Sequence, residues 1–110
     1  MRQWLIDPKM LCDKHLLGEH VEHHMFIGTI ARNISIKGYL EKGLLEPNTL
    51  YMRHAELVKE MIERGMNHKS ILPKINIPNI KGKININCNI ENLKNRCNKC
   101  KEKIELLQKK

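Results

Sequence analysis

The chain has 110 residues, with 20 Lys and Arg against 12 Asp and Glu, and a formal net charge of +8 at pH 7. A chain of this length is expected to form one domain around one modest core. No apolar run approaches the roughly 18 residues of a membrane span, and the start lacks the apolar stretch of a signal peptide. We therefore expect a cytoplasmic protein and not a membrane or secreted one, and we expect a monomer.

The positive charge is concentrated towards the C-terminus. Residues 69–110 carry a net charge of +8, whereas residues 1–45 and 46–68 carry +1 and −1. A concentrated basic block favours binding to a phosphate backbone, although a solvated helix face can have the same composition. The charge pattern therefore favours a nucleic-acid partner over a membrane.

The spacing of apolar residues predicts an all-α fold with three helices and long loops. A proline opens each of the first two helices, and a glycine follows the second. The predicted bounds are Asp7-Pro8 to about Arg32, Pro47-Asn48 to Gly65, and Asn89 to the end of the chain. Prolines and a glycine between residues 70 and 88 argue against a helix there, so we predict an extended linker. The whole is expected to be one compact domain, 1–110, with a basic C-terminal helix at 89–110.

The first helix contains an uncommon cluster of imidazoles and carboxylates. The segment HLLGEHVEHH places His15, Glu19 and Glu22 on one helical face, and we expect Leu17 and Val21 to lie on the buried side. Three interpretations remain open for this polar face. It is a solvated face with structural histidines, a metal site, or an acid–base catalytic face. The metal interpretation uses the i, i+4 pair of His15 and Glu19, with His54 or His68 as a third ligand.

The cysteines permit a second metal alternative. Cys97 and Cys100 form a C-x-x-C, and Cys88 lies nine residues upstream of it. Both thiols of the pair fall on the apolar stripe of the third helix, where cysteine behaves as a small hydrophobe. We expect burial, and hence no bound metal and no cofactor. A zinc site of Cys88, Cys97 and Cys100, with Cys12 as a fourth thiolate, is the weaker alternative.

Three segments of the chain match one known family in order and spacing. They are the start MRQW, the helix LCDKHLLGEHVEHH and the run RHAELVKEMIERGMNHK. Together they resemble the phage-type pyrimidine-dimer DNA glycosylases with AP-lyase activity, the endonuclease V type. The resemblance implies an all-helical fold and assigns the catalytic part to residues 1–69. It also implies a DNA repair enzyme that acts on damaged double-stranded DNA.

The resemblance implies a particular nucleophile, the α-amine of the first residue, which here is Met1. An attacking amine must be unprotonated, and an α-amine has a reference pKa near 7.7–8.0, whereas that of lysine is near 10.4. The amine would attack C1′ of the damaged nucleotide and form an imine, and β-elimination would then break the strand. Glu22 matches the catalytic glutamate of the family, and His15 and Glu19 match its histidine and its preceding glutamate.

The same resemblance implies a set of DNA-binding residues. Arg2 is expected to hold a phosphate through a bidentate contact, and the other positions come from the matched segments. The expected DNA contacts are Arg2, Lys14, Arg53, Arg64 and Lys69.

The chain also departs from the family pattern beside the catalytic glutamate. Val21 and Met25 stand where the family has basic residues, and the C-terminus KEKIELLQKK lacks the family's aromatic residues. These departures favour the alternative function, a non-catalytic helical module that binds DNA or RNA. They also leave open whether the lesion is a pyrimidine dimer, another damaged base or an abasic site.

Overall fold

The computed structural model of the protein describes residues 1–68 and 70–109. Within these ranges the chain is all-helical and contains no strand, which confirms the predicted fold class. Its α-helices are α1 (Asp13–Ala31), α2 (Lys37–Glu41), α3 (Leu50–Glu63), α4 (Ile86–Arg96) and α5 (Asn98–Gln108). Two short 3-10 turns, Pro8–Met10 and Pro47–Thr49, precede α1 and α3. No helix in the described part of the chain is long and apolar enough to cross a membrane.

The first two predicted helices are present with adjusted starts. Asp7 does act as a cap, and its side chain accepts a hydrogen bond from the Lys9 amide, but it caps only the 3-10 turn. α1 begins at Asp13, because extended backbone at Cys12 separates the turn from the helix. The second helix ends as predicted, and Gly65 follows it with a φ of +80°. A left-handed residue of this kind is the usual stop of a helix.

The predicted C-terminal helix is two helices. Cys97 has extended backbone, with φ −141° and ψ 112°, and it separates α4 from α5. The apolar stripe of the sequence survives the break, since Leu93, Cys100 and Ile104 are all fully buried. Residues 70–85, within the predicted linker, contain neither helix nor strand. α4 begins at Ile86, because Asn85 caps it by accepting a hydrogen bond from the Cys88 amide.

Two apolar clusters form the core, and the N-terminal segment lies in the first. That cluster packs Trp4 and Ile6 against side chains of α1, α3, α4 and α5. The second cluster contains Phe26, Leu45 and other apolar side chains, and Met1 packs against it. The first six residues are therefore held between the helices, and the terminus has a defined position next to α1.

The buried face of α1 does not contain Leu17 and Val21, contrary to our prediction. It combines four apolar residues with three polar ones: Leu16, Phe26, Ile27, Ile30, Glu19, His20 and His23. Leu17 and Val21 are 41% and 53% exposed, whereas Glu19 and His23 are buried. This prediction was wrong because apolar content alone indicated the buried side. Burial of polar groups is tolerated where each finds a partner, and Glu19 pairs with Arg53 while His23 bonds to Gln3.

Candidate active site

The α-amine of Met1 lies beside the carboxylate of Glu22. The amine nitrogen is 3.9 Å from Oε1 of Glu22, and both side chains are largely shielded from solvent. Burial raises the pKa of the Glu22 carboxyl, and the positive charge of the amine opposes that rise. The structure therefore brings together an amine and a carboxylate at a partly dehydrated position, which is where charge interactions are stronger than in water.

Gln3 holds the terminal segment in place through its side chain and its backbone. It is fully buried, and its Nε2 lies 3.0 Å from Nε2 of His23 and 3.1 Å from Oγ1 of Thr49. Its side-chain Oε1 accepts a hydrogen bond of 2.7 Å from the backbone amide of Glu46. Its backbone amide donates one of 2.8 Å to the Leu44 carbonyl. These four contacts leave the segment little freedom, so the terminus stays next to α1.

Asn89, in the first turn of α4, also holds this segment, through hydrogen bonds to Trp4 and Arg2. Its Nδ2 donates a 2.7 Å hydrogen bond to the Trp4 carbonyl, and its Oδ1 accepts one from the Arg2 guanidinium. That guanidinium also lies 3.9 Å from the centre of the Trp4 ring. Burial, followed by the charge of Arg96, lowers the pKa of Arg2. Arg2 is therefore half-buried and engaged within the protein, which restricts the bidentate phosphate contact expected of it.

Glu19 was expected to share the catalytic face with Glu22, but its carboxylate is bound elsewhere. It is 1% exposed, and both of its oxygens accept hydrogen bonds from the guanidinium of Arg53, at 2.7 and 3.0 Å. The same guanidinium donates to the Ile6 carbonyl at 2.6 Å. A carboxylate with both oxygens engaged is poorly placed to exchange protons, so the geometry assigns Glu19 to the structure of the core.

His15 also lies in a different environment from the one expected. Its Nδ1 is 3.2 Å from Sγ of Cys12 and 3.5 Å from Sγ of Cys100, and its ring meets Trp4 edge-on. Burial, followed by the charge of Lys14, lowers the pKa of this imidazole. The predicted metal pair of His15 and Glu19 is wrong, because the two side chains have separate partners.

The expected DNA contacts differ in their accessibility. Lys14 is exposed, as a phosphate contact requires. Arg53 is 1% exposed and bound to Glu19, so its side chain is not accessible for the DNA contact expected of it. Arg64 is largely buried and pairs with Glu60 and Asp13 at 2.9 and 3.0 Å. Lys69 lies outside the described residues.

The basic block of residues 69–110 presents an exposed positive surface. Its exposed members in the described residues are Lys74, Lys81, Lys83, Arg96, Lys99, Lys101 and Lys109. Arg96 connects this surface to the candidate site, because its guanidinium lies 5.9 Å from the Trp4 ring that Arg2 covers. A phosphate backbone along these side chains would pass close to the terminal segment.

Three residues of the site were not identified from the sequence. Gln3 and Asn89 position the terminal segment, and Arg96 brings positive charge to it. A glutamine next to the start has no recognisable signal, and Asn89 served only as a helix boundary. Arg96 was counted in the basic block, but its position depends on the break at Cys97, which periodicity did not reveal.

Comparison with known protein families gives one match, over residues 1–73, to the family described as pyrimidine dimer DNA glycosylase. No curated protein and no solved structure matches the chain significantly. The matched range contains the terminal segment, α1 and α3, and hence both members of the Met1–Glu22 pair. The match confirms the resemblance seen in the sequence, and the chain belongs to the pyrimidine dimer DNA glycosylase family.

Proposed function

We propose that this protein is a DNA glycosylase with AP-lyase activity whose nucleophile is the α-amine of Met1. One observation carries the proposal, the 3.9 Å separation between the Met1 nitrogen and Oε1 of Glu22. The fixed position of the terminal segment supports it as well. Gln3 and Asn89 hold this segment, and a nucleophile held in place reacts faster than a mobile one.

The reaction follows from the chemistry of an amine at a nucleoside carbon. The unprotonated amine attacks C1′, the bond from C1′ to the base breaks, and the base departs with the bonding electrons and takes up a proton. The nitrogen then loses a proton, and its lone pair forms a C=N bond as the C1′–O4′ bond breaks. O4′ takes the bonding electrons and a proton, which leaves a protonated imine. The imine makes the C2′ proton acidic, so its removal expels the 3′ phosphate by β-elimination. Water then hydrolyses the imine and releases the amine.

Glu22 is the carboxylate available for the proton transfers. It lies within ion-pair distance of the amine, so it is placed to accept the proton that the amine loses. A carboxylate at this position would also stabilise the positive charge that develops on the sugar as the base departs. Glu19 and His15 have no direct role in this proposal, because Arg53 and the thiols engage them.

The proposed substrate is damaged double-stranded DNA. The basic surface of the linker and C-terminal helices would neutralise phosphates and make binding dependent on salt. The target sugar would have to become accessible to a fixed terminus, which requires local opening of the duplex. The family description makes a pyrimidine dimer the first lesion to test. Val21 and Met25 expose apolar surface beside Glu22, so a contact there would be to a base or sugar and not to a phosphate.

Borohydride trapping tests the proposal directly. Borohydride reduces an imine to a stable amine, so an imine-forming enzyme becomes covalently attached to its DNA. We expect trapping on duplexes that contain an abasic site and on duplexes that contain a pyrimidine dimer. Trapping on abasic DNA but not on dimer-containing DNA would support the lyase activity and contradict glycosylase activity on pyrimidine dimers. DNA binding without trapping on either substrate would contradict the proposal and favour the non-catalytic binding module.

A further inference from the structure

A cluster of three thiols and one imidazole lies apart from the Met1–Glu22 pair. The ligand atoms of Cys12, His15, Cys97 and Cys100 all lie within 4.8 Å of one another. Sγ of Cys12 is 3.2 Å from Nδ1 of His15 and 3.8 Å from Sγ of Cys97, and Sγ of Cys100 is 3.5 Å from the same Nδ1. Four side chains that ligate metals therefore converge on one point.

The distances fit a tetrahedral zinc site. Zn–S and Zn–N bonds of about 2.3 and 2.0–2.1 Å place tetrahedral ligand atoms about 3.5–3.8 Å apart. The spacing of 3.8 Å between the Cys12 and Cys97 sulfurs agrees with that value. It is well beyond the roughly 2.05 Å of a disulfide bond, and none of the four cysteines of the chain is in a disulfide.

The backbone around the cluster is arranged to present the sulfurs. The extended conformation at Cys97 breaks the helix so that its side chain caps α5, with the Cys100 amide 3.5 Å from its Sγ. The Cys12 amide donates a 3.2 Å hydrogen bond to Sγ of Cys100. Hydrogen bonds of this kind around the ligands of a metal site hold those ligands in a fixed orientation.

We propose that Cys12, His15, Cys97 and Cys100 bind a structural Zn²⁺ ion. Four protein ligands close the coordination shell, as in structural and not catalytic zinc sites. Cys12 and His15 belong to the segment matched by the family, whereas Cys97 and Cys100 lie beyond residue 73. The ion therefore fastens the C-terminal helices to the start of α1. This cross-link would help to hold Arg96, the residue before Cys97, beside the terminal segment.

The zinc site considered from the sequence contained Cys88, Cys97, Cys100 and Cys12. The proposed site differs from it in one ligand. Cys88 is exposed and takes no part in the cluster, and His15 of α1 occupies the place we had considered for it. The reason is geometric. Cys88 lies near the start of α4, whereas the break that presents Cys97 lies at the end of that helix.

Metal content of the untagged protein tests the zinc site, with Cys88 as the matched control. We expect Cys88→Ser to retain the zinc content of the wild type and Cys97→Ser to lose one ion per chain. With Co²⁺ in place of zinc, the wild type should show a thiolate-to-metal charge-transfer band that Cys97→Ser lacks. Equal zinc content in all three proteins would overturn the proposal.

A measurement on the wild type alone covers the case in which Cys97→Ser does not fold. A thiol reagent should modify Cys88 rapidly in the metal-loaded protein, and a chelator should make the other three cysteines reactive. The zinc site protects these thiols by coordination as well as by burial. Thiol reactivity that the chelator leaves unchanged would overturn the proposal.

A separate cluster of histidines lies on the opposite flank of the buried face of α1. The rings of His20, His54 and His68 lie 4.8–5.4 Å apart between centres, and His24 packs against the first two. One ligand atom from each of the first three lies within 4.8 Å of the others. Nε2 of each of the four is buried, and no described residue provides it with a hydrogen bond.

Buried polar atoms without partners are rare and require an explanation. A metal ion supplies one, because neutral imidazoles are the commonest protein ligands of divalent transition metals. We infer that His20, His54 and His68 bind a second divalent transition-metal ion, with His24 next to it. The ion would join α1, α3 and the segment that follows α3, and three protein ligands leave a coordination position open.

The two sites can be separated by stoichiometry and spectrum. We expect the wild type to bind two Co²⁺ ions per chain, of which only one produces the charge-transfer band. His54→Gln should bind one ion and keep the band, whereas Cys97→Ser should bind one ion and lose it. Saturation of the wild type by one Co²⁺, or two ions bound to His54→Gln, would overturn the histidine site. The wild-type titration decides the matter even if His54→Gln does not fold.

Discussion

Arg53 and Glu19 form a bidentate ion pair in the centre of the protein, with contacts of 2.7 and 3.0 Å. The pair joins α3 to α1, and the third contact of Arg53, to the Ile6 carbonyl, extends it to the terminal segment. A charge buried in this way is stable only while its partner is present. The pair therefore holds the two helices and the terminus in one arrangement.

Removal of one member of this pair should destabilise the protein strongly. We expect Glu19→Gln or Arg53→Met to lower the free energy of unfolding by about 3–5 kcal/mol. Arg53→Met leaves the buried Glu19 carboxylate without its partner. Glu19→Gln leaves the Arg53 guanidinium with only one carboxylate among the described residues, that of the half-exposed Glu56 at 3.6 Å. The double variant Glu19→Leu with Arg53→Met should lose less than the more damaging single variant. Urea unfolding followed by circular dichroism measures these differences.

The exposed ion pair of Lys37 and Glu41 provides the control. Its atoms are 3.8 Å apart and its side chains are 80% and 64% exposed. Glu41→Gln should therefore change the free energy of unfolding by less than about 0.5 kcal/mol. Similar losses for Glu41→Gln and Glu19→Gln would show that Glu19 is not the buried partner described above.

Glu22→Gln should fold and bind DNA but lose glycosylase activity. Glutamine keeps the size of the side chain, while it removes the charge that faces the amine and the capacity to accept a proton. We expect single-turnover base release to fall by about 10²–10⁴-fold, the usual contribution of a general acid or base. Glu41→Gln serves again as the exposed control and should retain full activity.

Two outcomes would contradict that assignment. If Glu22→Gln released the base at the wild-type rate, the Glu22 carboxylate would have no role in the reaction. Loss of DNA binding together with activity would show instead that Glu22 maintains the surface, because the proposed role concerns chemistry and not affinity.

DNA binding should weaken steeply with salt through the C-terminal lysines. If the protein neutralises about five phosphates, the logarithm of affinity should fall with that of salt at a slope of roughly −4 to −5. Conversion of the exposed Lys99, Lys101 and Lys109 to glutamine should flatten the slope by about 0.9 for each phosphate that is no longer neutralised. Point substitutions are preferable to removal of residues 101–110, since Ile104 is part of the core.

Lys37 and Lys42 offer a matched control for this measurement. Both are exposed, and they lie in and after α2, outside the basic block of residues 69–110. Their conversion to glutamine should leave the slope unchanged. An equal effect of both sets would show that net charge, and not a defined surface, determines binding.

The sequence was sufficient to predict the helical class and the second helix, which depend on local signals such as the glycine after Arg64. Met1 and Glu22 were named through the resemblance to the family, and the structure brings the two together. The pairing of Glu19 with Arg53 was not predictable in the same way. The two residues are far apart in the chain, and the pattern of α1 did not indicate that Glu19 would be buried among apolar side chains.

The break at Cys97 was also not predictable from periodicity. The apolar stripe runs through it without a change of spacing, because Leu93 and Cys100 both reach the same core. The extended conformation of Cys97 alone separates the two helices, and the thiol of this residue lies 3.8 Å from that of Cys12. The C-x-x-C was visible in the sequence, but His15 had been assigned to the catalytic face, so the fourth ligand was missed.

The position of the α-amine is the central claim, and an extension of the N-terminus tests it most directly. The untagged protein and a protein tagged after Lys110, a residue outside the described part of the chain, should both be trapped by borohydride on abasic DNA. An N-terminal tag should abolish trapping, because each added residue moves the amine by up to about 3.3–3.6 Å and the Met1 nitrogen becomes an amide. Peptide mapping should locate the adduct at Met1. Undiminished trapping of the N-terminally tagged protein, or an adduct at Lys14, would contradict the account.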